Sequence, residues 1–383
     1  MAGSTLTNLI PDAYAALDVV SRELTGFIGA VTRNSTADRV AAGQTLRSIV
    51  APTNSAGGDI TPAMTIPADA PQTIGNKSLT IDKNRYFPFS WTNQQQYAAD
   101  MGPGFLTIQQ DQIAQAIRAA VNEIEASIAV VAAKGASRAF GATAGTAPLF
   151  SDWSQAKKIL DDNGAPQSDR TSVFNTTAGV ALRSTANLYK VNEAGDQGLL
   201  RQGLLGSLYG FDLRESGQVQ TTTKGGMTGA LIDDTVAAIG DTTITFDTGT
   251  VNTTGIVAGD IITIAGDTNK YVVATGTTST SGTFTINAPG LRTAVANNSA
   301  ITVFGTSARN IAMSRNAIVL ATRLPELPDM GDLALDRYTL TDPRTGLSFE
   351  LAMYPGFRMA TYHLSVCWGV TAFKPEHIAV IVG

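Results

Sequence analysis

Residues Thr107 to Lys134 contain no glycine or proline, and Ile113, Ile117, Val121, Ile124, Ile128 and Val131 recur there at intervals of three or four. That period is the apolar stripe of an amphipathic helix. Thr107 and Gln110 form a capping-box pattern at its start, and Gly135 stands at its stop. At about 1.5 Å per residue the helix is roughly 40 Å long, longer than most globular helices.

A second feature breaks the chain in two. Between Glu215 and Glu326 there is no glutamate and no tryptophan, and threonine and glycine dominate. Short alternating runs follow one another at Thr242–Phe246, Asp260–Ile264, Tyr271–Ala274, Thr283–Ile286 and Ile301–Phe304. Turn residues separate them at the intervals of a small antiparallel barrel or sandwich. Ile244, Phe246, Ile262, Ile264, Val272, Phe284, Ile286 and Val303 supply its apolar set. Helical and strand patterns occur on both sides, so residues 225–306 read as an all-β domain inserted into an α+β body rather than as a tandem domain.

Within that body, Pro11–Val31 carries Tyr14, Leu17, Val20, Leu24, Phe27 and Val31 at helical spacing. Residues 47–72 are rich in Pro, Gly, Ser, Thr and Asn and read as an extended arm. Leu79, Ile81, Phe87, Phe89 and Trp91 occupy alternate positions, which predicts a long two-stranded hairpin with Asp82-Lys83-Asn84-Arg85 between its halves. Its three aromatics share one face. Their burial is worth at most about 10–20 kcal/mol together, so that face must pack, either on its own body or on a neighbouring subunit. Further on, Asp152–Asn163 reads as a helix stopped by Gly164 and Pro166. Thr171–Asn175 reads as a strand, followed by a helix to about Leu188 and a glycine-punctuated loop, 195–210. Asn310–Ala321 has helical character. Strands are expected around Phe349–Ala352, Thr361–Val370 and Ile378–Val382.

Composition narrows the function classes. Of 383 residues, 43% are hydrophobic and only 15% charged, with a net charge of −5. Charged residues make up about 25% of an average domain, and a neutral surface favours burial between proteins because little charge must be desolvated. No lysine or arginine run is present, so tight nucleic-acid binding through phosphate counterion release is not expected. Cys367 is the single cysteine, which excludes an intrachain disulfide and reads as a small core residue of a buried strand. No signal peptide and no membrane span are expected, and the chain reads as soluble and intracellular when made.

The residues that carry chemistry do not converge. His363 and His377 have no partner at catalytic or metal-ligand spacing. Asp329, Asp332 and Asp336 lie among Pro325, Pro328 and Gly331 and read as a solvated acidic loop, as does the pair Asp233-Asp234. Gly141–Gly145 lacks the lysine of a phosphate loop, and Gly203, Gly206 and Gly210 lack dinucleotide spacing. No catalytic residue, metal ligand or cofactor site is assigned.

Four segments carry a family resemblance. These are Trp368-Gly369-Val370-Thr371-Ala372-Phe373-Lys374-Pro375-Glu376-His377-Ile378-Ala379-Val380; Leu200 to Asp212, with its Gly210-Phe211-Asp212; Thr171 to Asn175; and Val257 to Gly266. In their order along the chain, 171–175, 200–212, 257–266 and 368–380, they resemble the coat proteins of short-tailed Salmonella phages. The resemblance implies a Hong Kong 97-type capsid fold, α+β with an inserted antiparallel all-β domain. On that map residues 1–57 are an N-terminal arm and 58–105 an extended loop. Residues 106–135 are a peripheral spine helix, 136–224 and 307–358 an axial domain, 225–306 the insertion and 359–383 the C-terminal strands.

The function implied is that of a major capsid protein. It would self-assemble as pentamers and hexamers into the icosahedral shell around phage double-stranded DNA, without enzymatic activity. Scaffolding and portal proteins are implied partners, a decoration protein is an optional one, and sequence-specific nucleic-acid binding is not implied. Assembly would take place in the bacterial cytoplasm. The family's insertion carries a long loop that makes contacts between capsomers; here the corresponding stretch, Gly225–Ala238, is short. Lys77 and Lys83 lie in the extended loop, but no covalent Lys–Asn cross-link is expected. Subunit-contact candidates are Phe87, Phe89 and Trp91, with Asp12 and Asp18 as a docking face for a basic scaffolding segment. A tail-tube or sheath subunit is the alternative; a secreted adhesin and an enzyme rank lower.

Overall fold

The computed structural model describes residues 23–50, 62, 75–100, 105–141, 143–185, 205–234, 236–329, 331–342 and 344–383. The expected spine is present as a helix over Phe105–Gly135, starting two residues ahead of the predicted cap. Ile113, Ile117, Val121, Ile124 and Ile128 are all buried, so the stripe read from the sequence faces the core.

Two sheets share that helix. The first contains β1 (Thr32–Val40), β2 and β3 being a separate pair (Thr45–Val50 and Gly75–Thr80), and β4 (Lys83–Thr92). Its other members come from the far end of the chain. Named after β5 (Arg138–Phe140), β6 (Arg170–Phe174), β7 (Ser207–Leu208) and β8 (Phe211–Glu215), the longer insertion strands are β9 (Thr243–Asp247), β10 (Ile261–Ile264), β11 (Lys270–Thr275), β12 (Gly282–Ile286) and β13 (Ile301–Val303). The body resumes with β14 (Ser307–Ser314), β15 (Ile318–Pro325), β16 (Asp336–Thr341), β17 (Ser348–Gly356), β18 (Met359–Ala372) and β19 (Ile378–Val382). The first sheet runs β1-β15-β18-β17-β16, with β4 on the opposite side of β18. The second places β5-β19-β14-β6-β8-β7 in order, and β11 extends it from β5 into the insertion.

The helices are α1 (Phe27–Ala30), α2 (Asn93–Asp100), the spine α3 (Phe105–Gly135), α4 (Phe150–Asp162) and α5 (Thr176–Arg183). The second sheet lies between α3 and α4. Ile378, Val380, Ile311 and Met313 join the core around α3, while Ala379, Ile381 and Ala312 face Trp153 and Leu160 of α4. Two-sided burial explains why β19 is apolar at every position, as strands buried on both faces are.

Four expectations are corrected. Asn310–Ala321 is not helical: it comprises the end of β14, a short 3-10 turn over Arg315–Ala317, and the start of β15. Both strands are buried nearly throughout, and their short apolar runs, Ile311–Met313 and Ala317–Ala321, lack the alternation that would separate a buried strand from a helix. Of Pro11–Val31, only Phe27–Ala30 is helical among the described residues, and residues 1–22 lie outside them. Parallel pairing of Thr32 with Val319 takes the chain into a sheet just beyond. The long hairpin does not form either. β3 pairs with β2, and β4 pairs with β18 from Lys83↔Trp368 to Thr92↔Met359. Only Ile81 and Asp82 connect β3 to β4, without the Asn-Gly or Asp-Gly of a tight hairpin, and the Ile81 N–H is taken by the Gln44 carbonyl at 3.0 Å. The fourth is the helix expected to about Leu188, which ends at Arg183.

The five strands expected between Thr242 and Phe304 are present as β9 to β13. Ile244, Phe246, Ile262, Ile264, Phe284 and Ile286 form a core of their own, with Val303 packed at its margin. Val272 instead turns into the core of the body.

Candidate assembly surfaces

The aromatic face of β4 is satisfied within the chain. Trp91 is buried and donates through Nε1 to Gln112 Oε1 of α3 at 2.6 Å. Phe87 and Phe89 are half-buried against the same core, and Phe89 stacks on Tyr362 with centroids 5.1 Å apart. The three residues are thus brought together as alternation predicts. What β4 offers outward is its second edge, to which no strand pairs among the described residues, and the exposed ring of Tyr86. Such an edge carries free N–H and C=O groups, broken here at Pro88.

Asp12 and Asp18 lie outside the described residues. The third acid of that stretch, Glu23, is committed to Arg118 of α3 at 2.7 Å and accepts from Gln218 at 3.2 Å. Sequence reasoning missed the group next to it. Glu125, fully buried on α3, accepts the N–H groups of Gly26 and Phe27, each at 2.6 Å, of Ile28 at 2.9 Å, and the Ser216 hydroxyl at 2.9 Å. Burial raises its carboxyl above the usual range, and these donors oppose the rise. One carboxylate therefore clamps the first turn of α1 to the spine. The available signal was a glutamate directly after Ile124, on the apolar side of the stripe.

The β-rich unit around β9 to β13 is joined to the second sheet and to α3 at a polar seam. Lys270 and Tyr271 of β11 pair with Ala139 and Arg138 of β5. Asn287 Nδ2 donates to the carbonyls of Lys134 and Ala136, both at 2.8 Å, satisfying the C-terminal end of α3. Beneath the connecting strands, Asp260 accepts from Gly225 and Val257, and burial raises its carboxyl. Burial also lowers Arg309 to about 10, against the attraction of Asp260.

Other residues singled out in the sequence are scattered. His363 lies between Tyr86 and Tyr354, and His377 is buried; burial lowers the pKa of both imidazoles. The Cys367 thiol is pushed up to about 11 by burial and the nearby Glu350. Asp332 pairs with Arg337 and accepts from the Tyr354 phenol at 2.8 Å. Among the described residues no group of three His, Cys, Asp or Glu is placed to hold a metal ion. No helix there is long and apolar enough to cross a membrane. Lys77 donates to the Phe373 carbonyl, and Lys83 faces Asp82 at 3.6 Å.

The arrangement is thus α+β: a long helix laid across two sheets, with an edge strand and a β-rich unit paired to the second sheet through β5. Among solved structures, the chain is similar to one in the capsid of the cyanophage P-SCSP1u. That likeness has a TM-score of 0.54 and 11% identity, and covers 94% of this chain and 89% of the other. It is similar also to a chain from Mycobacterium phage Che8, with a TM-score of 0.50 and 14% identity, over 94% of this chain and 92% of that one. At such identities the likeness establishes the fold. No protein-family model matches the sequence, and no curated protein matches it.

Proposed function

We propose that this chain is a major capsid protein of the Hong Kong 97 type, assembling into the icosahedral shell that encloses phage double-stranded DNA. The observation that carries the reading is the shared fold with a cyanophage capsid chain along nearly the whole length of both. The low charge fraction and the open β4 edge support it, because both favour contact between copies. The reading requires no catalytic site. Its partners are further copies, arranged as pentamers and hexamers, with scaffolding and portal proteins during assembly in the host cytoplasm.

In this reading residues 225–306 are the insertion domain, 106–135 the spine, and 136–224 with 307–358 the axial domain. The extended loop is residues 58–105, and β2, which pairs with β3 of that loop, belongs to the N-terminal arm, 1–57. Phe87, Phe89 and Trp91 hold the strand that a neighbour meets, and Asp12 and Asp18 form the acidic face for a scaffolding segment. Negative-stain electron microscopy of the chain expressed with and without scaffolding protein tests the proposal. Closed shells are expected; tubes would assign it to a tail, and a strictly monomeric chain would overturn both readings.

A further inference from the structure

One end of the six-stranded sheet exposes large apolar side chains from two segments. The first is the turn between β17 and β18, where Phe357 is 90% exposed and Met359 39%. The second is the loop before β16, where Leu333 is 86% exposed and Leu335 64%. They lie side by side. The Leu335 N–H donates to the Met353 carbonyl at 2.8 Å, and Tyr354 of the same strand holds Asp332 of the loop. The Asn93 N–H fixes the Arg358 carbonyl at 3.1 Å. Arg358 takes φ +54°, a left-handed conformation that side chains with a Cβ rarely adopt. Its guanidinium lies 5.6 Å from the Phe357 ring centroid. A rigidly held turn that presents a solvent-exposed phenylalanine from a strained backbone is built for contact rather than for the stability of its own subunit.

Charge identifies what it contacts. Glu326 and Asp329, exposed on the loop, belong to none of the ion pairs among the described residues, and neither does Arg358. The turn is therefore apolar and basic, and the loop apolar and acidic. Each complements the other on a second copy of the same surface.

We propose that this end of the sheet is a self-association surface, with the Phe357–Arg358 turn of one copy seated on the Glu326–Leu335 loop of a second copy. Phe357 packs on Leu333 and Leu335, and Arg358 faces Glu326 and Asp329. Turn and loop lie side by side, so two copies related by a two-fold axis can each seat a turn on the other's loop, as can successive copies around a ring. The inference rests on the self-assembly reading for its biological setting, but its geometry is independent of it.

Phe357→Ser, Arg358→Glu, and Arg358→Glu combined with Glu326→Lys and Asp329→Lys test the contact. Assembled fraction is read by gradient sedimentation and fold by circular dichroism. Phe357→Ser should weaken association about tenfold or more, as loss of a central apolar anchor does. Arg358→Glu should also reduce assembly, and the charge-swapped triple variant should restore it. Folded variants that assemble like the wild type would overturn the proposal, as would a triple variant no better than Arg358→Glu. If the wild type forms no shells, the same proteins are compared by analytical ultracentrifugation. Association that Phe357→Ser abolishes would then sustain this contact while sinking the capsid reading, and a monomeric wild type would overturn the contact too.

Discussion

Glu125 shows what a single buried charge can organise. Its two oxygens serve three backbone donors of the α1 turn and one hydroxyl, so the start of the described chain is fixed to the middle of the spine. Replacing it with leucine leaves those donors unsatisfied and should cost about 3 kcal/mol or more by thermal or urea unfolding. Its pH dependence has a definite sign. The folded carboxyl sits above its ordinary value of 4.5, so the folded state binds the proton more tightly than the unfolded chain does. Stability from this group is therefore greatest below that ordinary value and declines as pH rises through the raised one. The melting temperature of the wild type should fall relative to that of Glu125→Gln as pH rises from below 4.5, and a relative rise would refute the assignment. Gly369 is a steric counterpart. A Cβ there would stand 2.2 Å from the Thr80 carbonyl oxygen, where β3 crosses β18. Gly369→Ala should destabilise the fold by about 1–3 kcal/mol, since the obstacle is backbone.

Among the elements, β4 separates two roles that alternation cannot distinguish. Its aromatic face packs against α3 and β18 of the same chain, so the first effect of its loss falls on the subunit. Phe87→Ser combined with Phe89→Ser should lower unfolding free energy by about 2–4 kcal/mol, less than the 3–5 of one fully buried phenylalanine counted twice, because both rings are only half-buried. Circular dichroism melting measures this. An unchanged melting temperature with failed assembly would transfer the face to a neighbour. The same reasoning explains the 310–321 segment. Alternation marked the half-buried strands between Thr243 and Val303, while β14 and β15, buried nearly throughout, gave the short apolar runs Ile311–Met313 and Ala317–Ala321 without alternation, which periodicity could not separate from a helix.

At the scale of the whole molecule, residues 227–303 carry a separate core on a shared ladder. Met227, Phe246, Phe284 and Leu291 belong to that core, yet β11 completes the second sheet through β5. Residues 225–306 expressed alone should give dispersed amide signals in NMR, with the weakest dispersion around Lys270–Val272, where β5 and the body core are lost. A collapsed spectrum throughout would show that the seam, and not the local core, holds the unit together.

Local patterns determined a good deal here. The extent of α3 and its buried stripe, the five longer insertion strands and most of their core, α4 and the last strands all follow from period, caps and turn residues, which act over a few positions. The α+β class follows from the order of those patterns. Only the tertiary structure decided which strands pair: β1 with β15, β2 with β3, and β4 with β18. It also decided that Glu125 meets Gly26, Phe27 and Ile28. Partners distant along the chain leave no periodic trace at either end, since each is selected by the surface that the rest of the fold presents to it.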